Sequence, residues 1–166
     1  MNRTSYIPDE KVIWQQLATI PDPEIPVISI VELGMIRNID ITSEQVIVYL
    51  SPTYNGCPAL EVIRMQIRAV LEQSLAVPVK VQITLDPPWT TDWITAEGLQ
   101  KLKNYGIAAP KRRKSLTGWR DDAASVSCPH CGSEATELVS QFGSTPCKAL
   151  YRCTDCLEPF DYFKCH

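Results

Sequence analysis

Apolar residues recur at helical spacing in three parts of the chain and alternate with polar residues in three others. The helical segments and then the alternating segments are residues 9–19, 58–75 and 95–106, followed by 38–41, 46–50 and 79–85. Only the polar turn 42–45 separates the first two strands, which therefore form an antiparallel hairpin. The order helix, strand, strand, helix, strand, helix predicts a small α+β domain over residues 9–107.

The pattern changes after residue 107. Residues 108–127 have no periodicity and contain Pro110 and the basic run 111–114, a composition typical of a linker. Two further strand-like runs follow at 137–140 and 149–152. The sequence therefore predicts a linker and then a small β-rich domain over residues 128–166.

Length and charge set outer limits on function. A chain of 166 residues accommodates one domain with a small second one. Its net charge of -3 argues against a protein built mainly to bind nucleic acid or an anionic membrane. The most apolar stretch, residues 25–36, is interrupted by polar residues and proline, so no membrane span is predicted. The polar N-terminus has no signal-peptide pattern, and we expect a cytoplasmic protein.

Six of the seven cysteines lie in the last 39 residues. Cys128 and Cys131 form one C-x-x-C knuckle, and Cys153 and Cys156 form another. Two such knuckles supply the four thiolates that structural zinc prefers, and a tail with so few large apolar residues needs a metal to fold. The spacing predicts a zinc ribbon on these four cysteines, although iron is not excluded, and His130 is predicted to be a bystander.

Cys57 is separate from this group. It precedes Pro58, which is predicted to open the strongest helix, so its thiolate would gain from the helix dipole. A reactive or metal-binding thiol and a buried structural cysteine are equally compatible with that position. Cys147 is expected on a turn between strands, where a second exposed thiol or a plain turn residue both fit, and Cys165 has no spacing partner.

Other common active-site patterns are missing from the sequence. The seven glycines form no phosphate-binding loop, and no Ser/His/Asp set is present. Four acidic residues lie beside prolines and turns, where they are expected to form turns and caps: Asp22, Glu24, Asp86 and Asp92.

Three segments of the first part, Asp22–Gly34, Pro52–Ala59 and Asp86–Trp93, resemble the iron-sulfur cluster assembly family that includes SufT and the eukaryotic cytosolic iron-sulfur targeting factors. In the tail, the segments Phe142–Cys153 and Glu158–Lys164 restrict this resemblance to a smaller group of proteins. The two halves together resemble the PaaD family, the D components of bacterial phenylacetyl-coenzyme A epoxidase systems.

This resemblance implies an accessory, non-enzymatic role in phenylacetate breakdown, in which the protein helps to mature an iron-sulfur or iron centre of a partner subunit. The implied partners are subunits of the epoxidase or its iron-sulfur reductase. A second copy of the same chain, in a homodimer, is an alternative partner. The related family members imply that Cys57 transiently holds an iron-sulfur cluster. In agreement, the sequence lacks the Glu-x-x-His helices of a di-iron oxygenase.

Two other classes of function compete with this interpretation. A zinc ribbon can bind nucleic acid or protein, but the basic residues of this tail are offset by acidic ones. A thiol enzyme that uses Cys57 would need a nearby base, and the only histidines are His130 and His166, both in the tail.

Overall fold

The chain divides into two compact units, Met1–Trp89 and Thr90–His166. A computed structural model describes residues 8–54, 56–109 and 126–164. The predicted basic run of the linker and Cys165 lie outside the described residues. Among the described residues, no helix is long and apolar enough to cross a lipid bilayer.

The first unit is an α+β domain with a three-stranded sheet. Its elements in chain order are α1 (Glu10–Leu17), β1 (Ile36–Ile41), β2 (Val46–Leu50), α2 (Leu60–Glu72) and β3 (Val79–Ile83). The strands lie in the order β1-β2-β3, with β1 antiparallel and β3 parallel to β2. The predicted hairpin and element order are confirmed, and α2 provides the connection that a parallel strand pair requires.

The apolar positions that predicted these elements form the core of the first unit. In α2, Ile63, Ile67 and Leu71 are fully buried, and the helix packs against α1 and β3. Val48 and Leu50 of β2 are likewise fully buried. The periodicities therefore identified the buried faces of α2 and β2 correctly, whereas Leu85, which ends the third alternating segment, is exposed.

A buried aspartate organises the proline-rich loop between α1 and β1. The side chain of Asp22 is 7% exposed, and its Oδ1 accepts the backbone N–H groups of Glu24 and Ile25, both at 2.9 Å. Further along, the buried Trp89 donates its Nε1–H to the Leu33 carbonyl at 2.9 Å. The prediction that Asp22 forms a turn is confirmed, because its carboxylate accepts the backbone N–H groups of two residues that follow it in the loop.

The second unit contains a short 3-10 helix (Thr91–Trp93) and a four-stranded sheet. Its other elements in chain order are α3 (Ala96–Asn104), β4 (Ile107–Ala108), β5 (Thr136–Ser140), β6 (Lys148–Cys153) and β7 (Pro159–Phe163). The strands lie in the order β4-β7-β6-β5. Strands β5, β6 and β7 form an antiparallel meander, and β4 runs parallel to β7.

The division differs from the predicted domain boundary at residue 107. The helix beginning after Thr95 was predicted to close the first domain, but α3 belongs to the second unit because β4, which follows it, pairs with β7. Ile107 lies opposite Asp161, and Ala108 lies opposite Tyr162. The sequence pattern missed both strands, since two residues are too few to show alternation and β7 begins with proline.

We expect Asp22→Ala to lower the free energy of unfolding of the chain by about 1–3 kcal/mol, because one buried and one half-buried N–H group lose a charged acceptor. Asp40→Ala is the matched control: Asp40 also accepts two hydrogen bonds, from Asn38 and Tyr49, but at an exposed position. Its cost should stay within about 0.5 kcal/mol. Urea unfolding measures both variants, and equal losses would contradict the role of Asp22.

Candidate metal centre

The four cysteines of the two knuckles converge at one end of the second unit. Cys128 and Cys131 precede β5, Cys153 ends β6, and Cys156 lies in the turn before β7. All four sulfur atoms lie within 4.8 Å of one another. The Sγ atoms of Cys128 and Cys156 are 3.7 Å apart, and those of Cys131 and Cys153 are 3.6 Å apart.

Each knuckle turns back on itself through a residue with a left-handed backbone. Gly132, directly after Cys131, has a φ of 78°. Leu157, directly after Cys156, has a φ of 64°, a conformation that costs a non-glycine residue about 1–2 kcal/mol. The two knuckles therefore share one turn geometry, and the second adopts it despite the strain of a leucine at that position.

Backbone donors favour ionised sulfur at the centre. The backbone N–H of Cys156, 3.5 Å from the sulfur of Cys153, is the largest cause that lowers the pKa of Cys153 to about 7, against the opposing effect of burial. For Cys156 the backbone N–H of Glu158 acts in the same direction, but burial and the neighbouring cysteine sulfurs raise its pKa to about 12. One thiolate thus forms readily while the next is opposed, and a divalent cation would remove that opposition.

The donor set fits a single thiolate-bound ion. Four sulfurs at about 2.3 Å from one zinc ion form a tetrahedron whose edges are about 3.8 Å long. The separations of 3.6 and 3.7 Å between sulfurs of different knuckles match that edge. A cluster of several irons would hold its cysteines farther apart, and four sulfur ligands leave no open position for a substrate.

Two of the four cysteines are also part of a hydrophobic core. Cys128 and Cys153, 1% and 0% exposed, pack with the buried residues Ala108 and Phe160. Tyr151 stacks on Phe160 with ring centroids 6.0 Å apart. Sequence analysis missed Ala108 and Phe160 as supports of the site, because no spacing rule links them to the knuckles.

His130 is exposed and does not belong to the ligand group found among the described residues. Its ring instead lies against Gly106, the glycine that ends α3 with a φ of 86°. A Cβ at Gly106 would lie 3.3 Å from Cε1 of His130. The expectation that His130 is a bystander to the metal is therefore supported, and its contact is with the segment that leads into β4.

Cys57 lies in the first unit and is half-buried. The predicted start of the helix at Pro58 is corrected: α2 begins at Leu60, its N-cap is Ala59, and no side chain caps it. Cys57 therefore lies two residues before the N-cap, and its N–H donates to the Tyr54 carbonyl at 3.0 Å. Because the dipole effect declines within one turn, the dipole argument for a thiolate at Cys57 is weaker than the sequence suggested.

The α+β unit and the four-sulfur unit together define an iron-sulfur assembly domain joined to a zinc ribbon. Residues 10–85 match the family described as iron-sulfur cluster assembly protein, and residues 112–164 match the PaaD zinc beta ribbon domain. Along its length the chain is 47% identical over 167 aligned positions to an Escherichia coli strain K12 protein, named as a candidate D component of 1,2-phenylacetyl-CoA epoxidase. That match covers 99% of each chain. The chain belongs to the PaaD family.

A second relative and two solved structures resemble part of the chain. A Porphyromonas gingivalis protein named Fe-S protein maturation auxiliary factor is 33% identical over 99 residues, which cover 58% of this chain and 93% of that protein. A DUF59 domain of Bacillus anthracis has a TM-score of 0.52 and 24% identity, covers 56% of this chain and 90% of its own, and supports the fold alone. A conserved hypothetical protein of Thermotoga maritima has a TM-score of 0.50 and 26% identity, covering 57% and 94%.

We expect Cys153→Ser to remove the metal and loosen the second unit as far as β4, because Ala108 packs on the same buried cysteines. Amide hydrogen exchange should accelerate in β4 to β7 and stay unchanged in β1 to β3, with zinc content falling in parallel. Cys147→Ser, at a half-buried cysteine outside the ligand group, is the control. Full metal content with an intact second unit in Cys153→Ser would contradict the site.

Proposed function

We propose that this protein is an accessory maturation factor of a phenylacetyl-CoA epoxidase, which assists assembly of an iron-sulfur or iron centre in a partner subunit. The observation that carries this proposal is the 47% identity to the Escherichia coli relative, which extends over both units. Assembly of an iron-sulfur centre is supported by the match of the first unit to iron-sulfur cluster assembly proteins and by the auxiliary-factor name of the second relative.

In this proposal the four cysteines of the second unit hold one zinc ion permanently. The closed set of sulfurs at single-ion spacing supports a structural role, and the buried positions of Cys128 and Cys153 make the metal part of the core. Zinc bound there would supply folding energy and no open coordination position. The ribbon is therefore a poor candidate for the site that handles a cluster in transit.

Cys57 is proposed as the ligand for that transient cluster. Iron-sulfur clusters are held by several cysteine thiolates, commonly four. The only cysteine of the chain before residue 128 is Cys57, so the first unit can contribute one thiolate, and we propose that the others come from a partner, a second copy or small thiols. Such incomplete ligation is weak, and weak binding favours transfer over storage. The partners proposed are the epoxidase subunits and their iron-sulfur reductase, in the cytoplasm.

We expect Cys57→Ala to abolish support for phenylacetate growth while leaving folding and ribbon zinc intact. The test is complementation of cells that lack the wild-type chain, with protein levels measured in each strain. Cys147→Ala, at the other half-buried cysteine outside the ribbon ligands, is the matched control and should support growth. Full growth of the Cys57→Ala strain at normal protein level would contradict the proposed role.

A second expectation concerns bound metal. After anaerobic purification, the wild-type chain should contain one zinc per chain, and incubation with iron and sulfide should add labile iron with sulfide absorption bands. Cys57→Ala should keep the zinc and lose the added iron, because the single thiolate of the first unit is gone. Equal iron and sulfide uptake by wild type and Cys57→Ala would show that another residue holds the cluster.

A further inference from the structure

Side chains that are not metal ligands join the two cysteine knuckles. Ser133, two residues after Cys131, donates its hydroxyl hydrogen to the carboxylate of Asp155, which lies between Cys153 and Cys156. The same Ser133 oxygen accepts the backbone N–H of Ala135 at 3.0 Å. Ser133 therefore makes one hydrogen bond within its own segment and one to the opposite knuckle.

A second contact lies beside the first. Thr154, the neighbour of Asp155, donates both its backbone N–H and its hydroxyl to the Ala135 carbonyl, at 2.8 and 3.0 Å. Residues 133–135 after one knuckle are thus bound to residues 154–155 inside the other. We name this pair of contacts the knuckle bridge.

The knuckle bridge lies between the two knuckles, whose relative position sets the distances between their sulfur atoms. Hydrogen bonds from backbone N–H to sulfur, such as that from Cys156 to Cys153, act inside one knuckle. Both short sulfur pairs, Cys128 with Cys156 and Cys131 with Cys153, instead join one knuckle to the other. Their separation depends on how the knuckles face each other, and the bridge joins the two knuckles there, beside the pairing of Thr136 with Cys153 in the sheet.

We propose that Asp155 is a positioning residue of the metal centre, which holds the second knuckle in register with the first and slows release of the metal. The proposal rests on the zinc site proposed above. The Asp155 carboxylate is not among the converging ligand atoms. Four thiolates around a divalent ion already carry a net charge of -2, so a further negative charge offers no electrostatic gain, and the hydrogen bond is the useful property.

Variants at the two ends of the bridge test this role through the rate at which zinc passes to a chromophoric chelator. Substitution of groups that orient metal ligands typically costs about 10–100-fold in affinity, and the lower end applies because Asp155 is exposed. We expect about tenfold faster release from Asp155→Ala and from Ser133→Ala. The double variant should be no faster than Ser133→Ala, because that single variant already removes the bond to Asp155 together with the bond from Ala135.

Asp155→Asn separates geometry from charge, since its amide oxygen still accepts the Ser133 hydroxyl and release should return to near the wild-type rate. Glu137→Ala, at an exposed acid of β5 in the same unit, removes equal charge without touching the bridge and should match wild type. With cobalt in place of zinc, the thiolate-to-metal absorption bands should shift in Asp155→Ala and not in Asp155→Asn.

Wild-type release rates in Asp155→Ala, or equally fast release from Asp155→Asn and Asp155→Ala, would overturn the positioning role. If Asp155→Ala fails to fold, Ser133→Ala carries the same test, because Ser133 lies outside the knuckles. A wild-type chain without bound zinc overturns the metal site itself, and this result is distinct from unaltered release in chains that hold one zinc each.

Discussion

The convergence of four cysteine sulfurs on a space the size of one metal ion is the constraint on which the second unit depends. Two of these sulfurs belong to buried residues that pack against Phe160 and Ala108, so the ligands and the hydrophobic core are partly the same atoms. A sheet of short strands has little apolar surface of its own to bury. A metal ion held by those sulfurs, as proposed, would supply cohesion that side-chain packing alone cannot.

This dependence extends beyond the ribbon itself. Strand β4 adds to the sheet beside β7, and His130 of the first knuckle lies against the glycine that ends α3. The helix and strand that precede the linker therefore belong to the same unit as the four cysteines. The boundary between the units falls at Trp89, whose indole N–H is fixed to Leu33 in the first unit.

The cysteines of the two units suit different kinds of metal binding. The second unit has a complete set of four ligands at single-ion spacing, which suits permanent binding. The first unit has one half-buried cysteine in the loop before α2, which suits an incomplete and exchangeable ligand. The proposed maturation role needs both properties, because a protein that hands over a cluster must stay folded after its cargo has left.

The sequence alone determined the elements with long periodic patterns and which four cysteines converge. Residues such as Ile63 and Ile67 recur on one helical face, and two C-x-x-C knuckles hold their sulfurs close by local geometry, so neither needed knowledge of distant contacts. No pattern in the sequence predicts a supporting role for the exposed turn residue Asp155, although it lies between Cys153 and Cys156. The sequence also placed the start of α2 too early, since proline is compatible with the turn before a helix as well as with its first residue.

Only the tertiary structure decided which segments share a sheet and which side chains brace the metal centre. The pairing of Ala108 with Tyr162 joins residues far apart in sequence, and two-residue strands carry no period to detect. The bond between Ser133 and Asp155 likewise depends on how two turns face each other across the sulfurs. Local spacing fixes which atoms can bind a metal, whereas the relative orientation of the segments, set by long-range pairing and burial, decides how firmly those atoms are held.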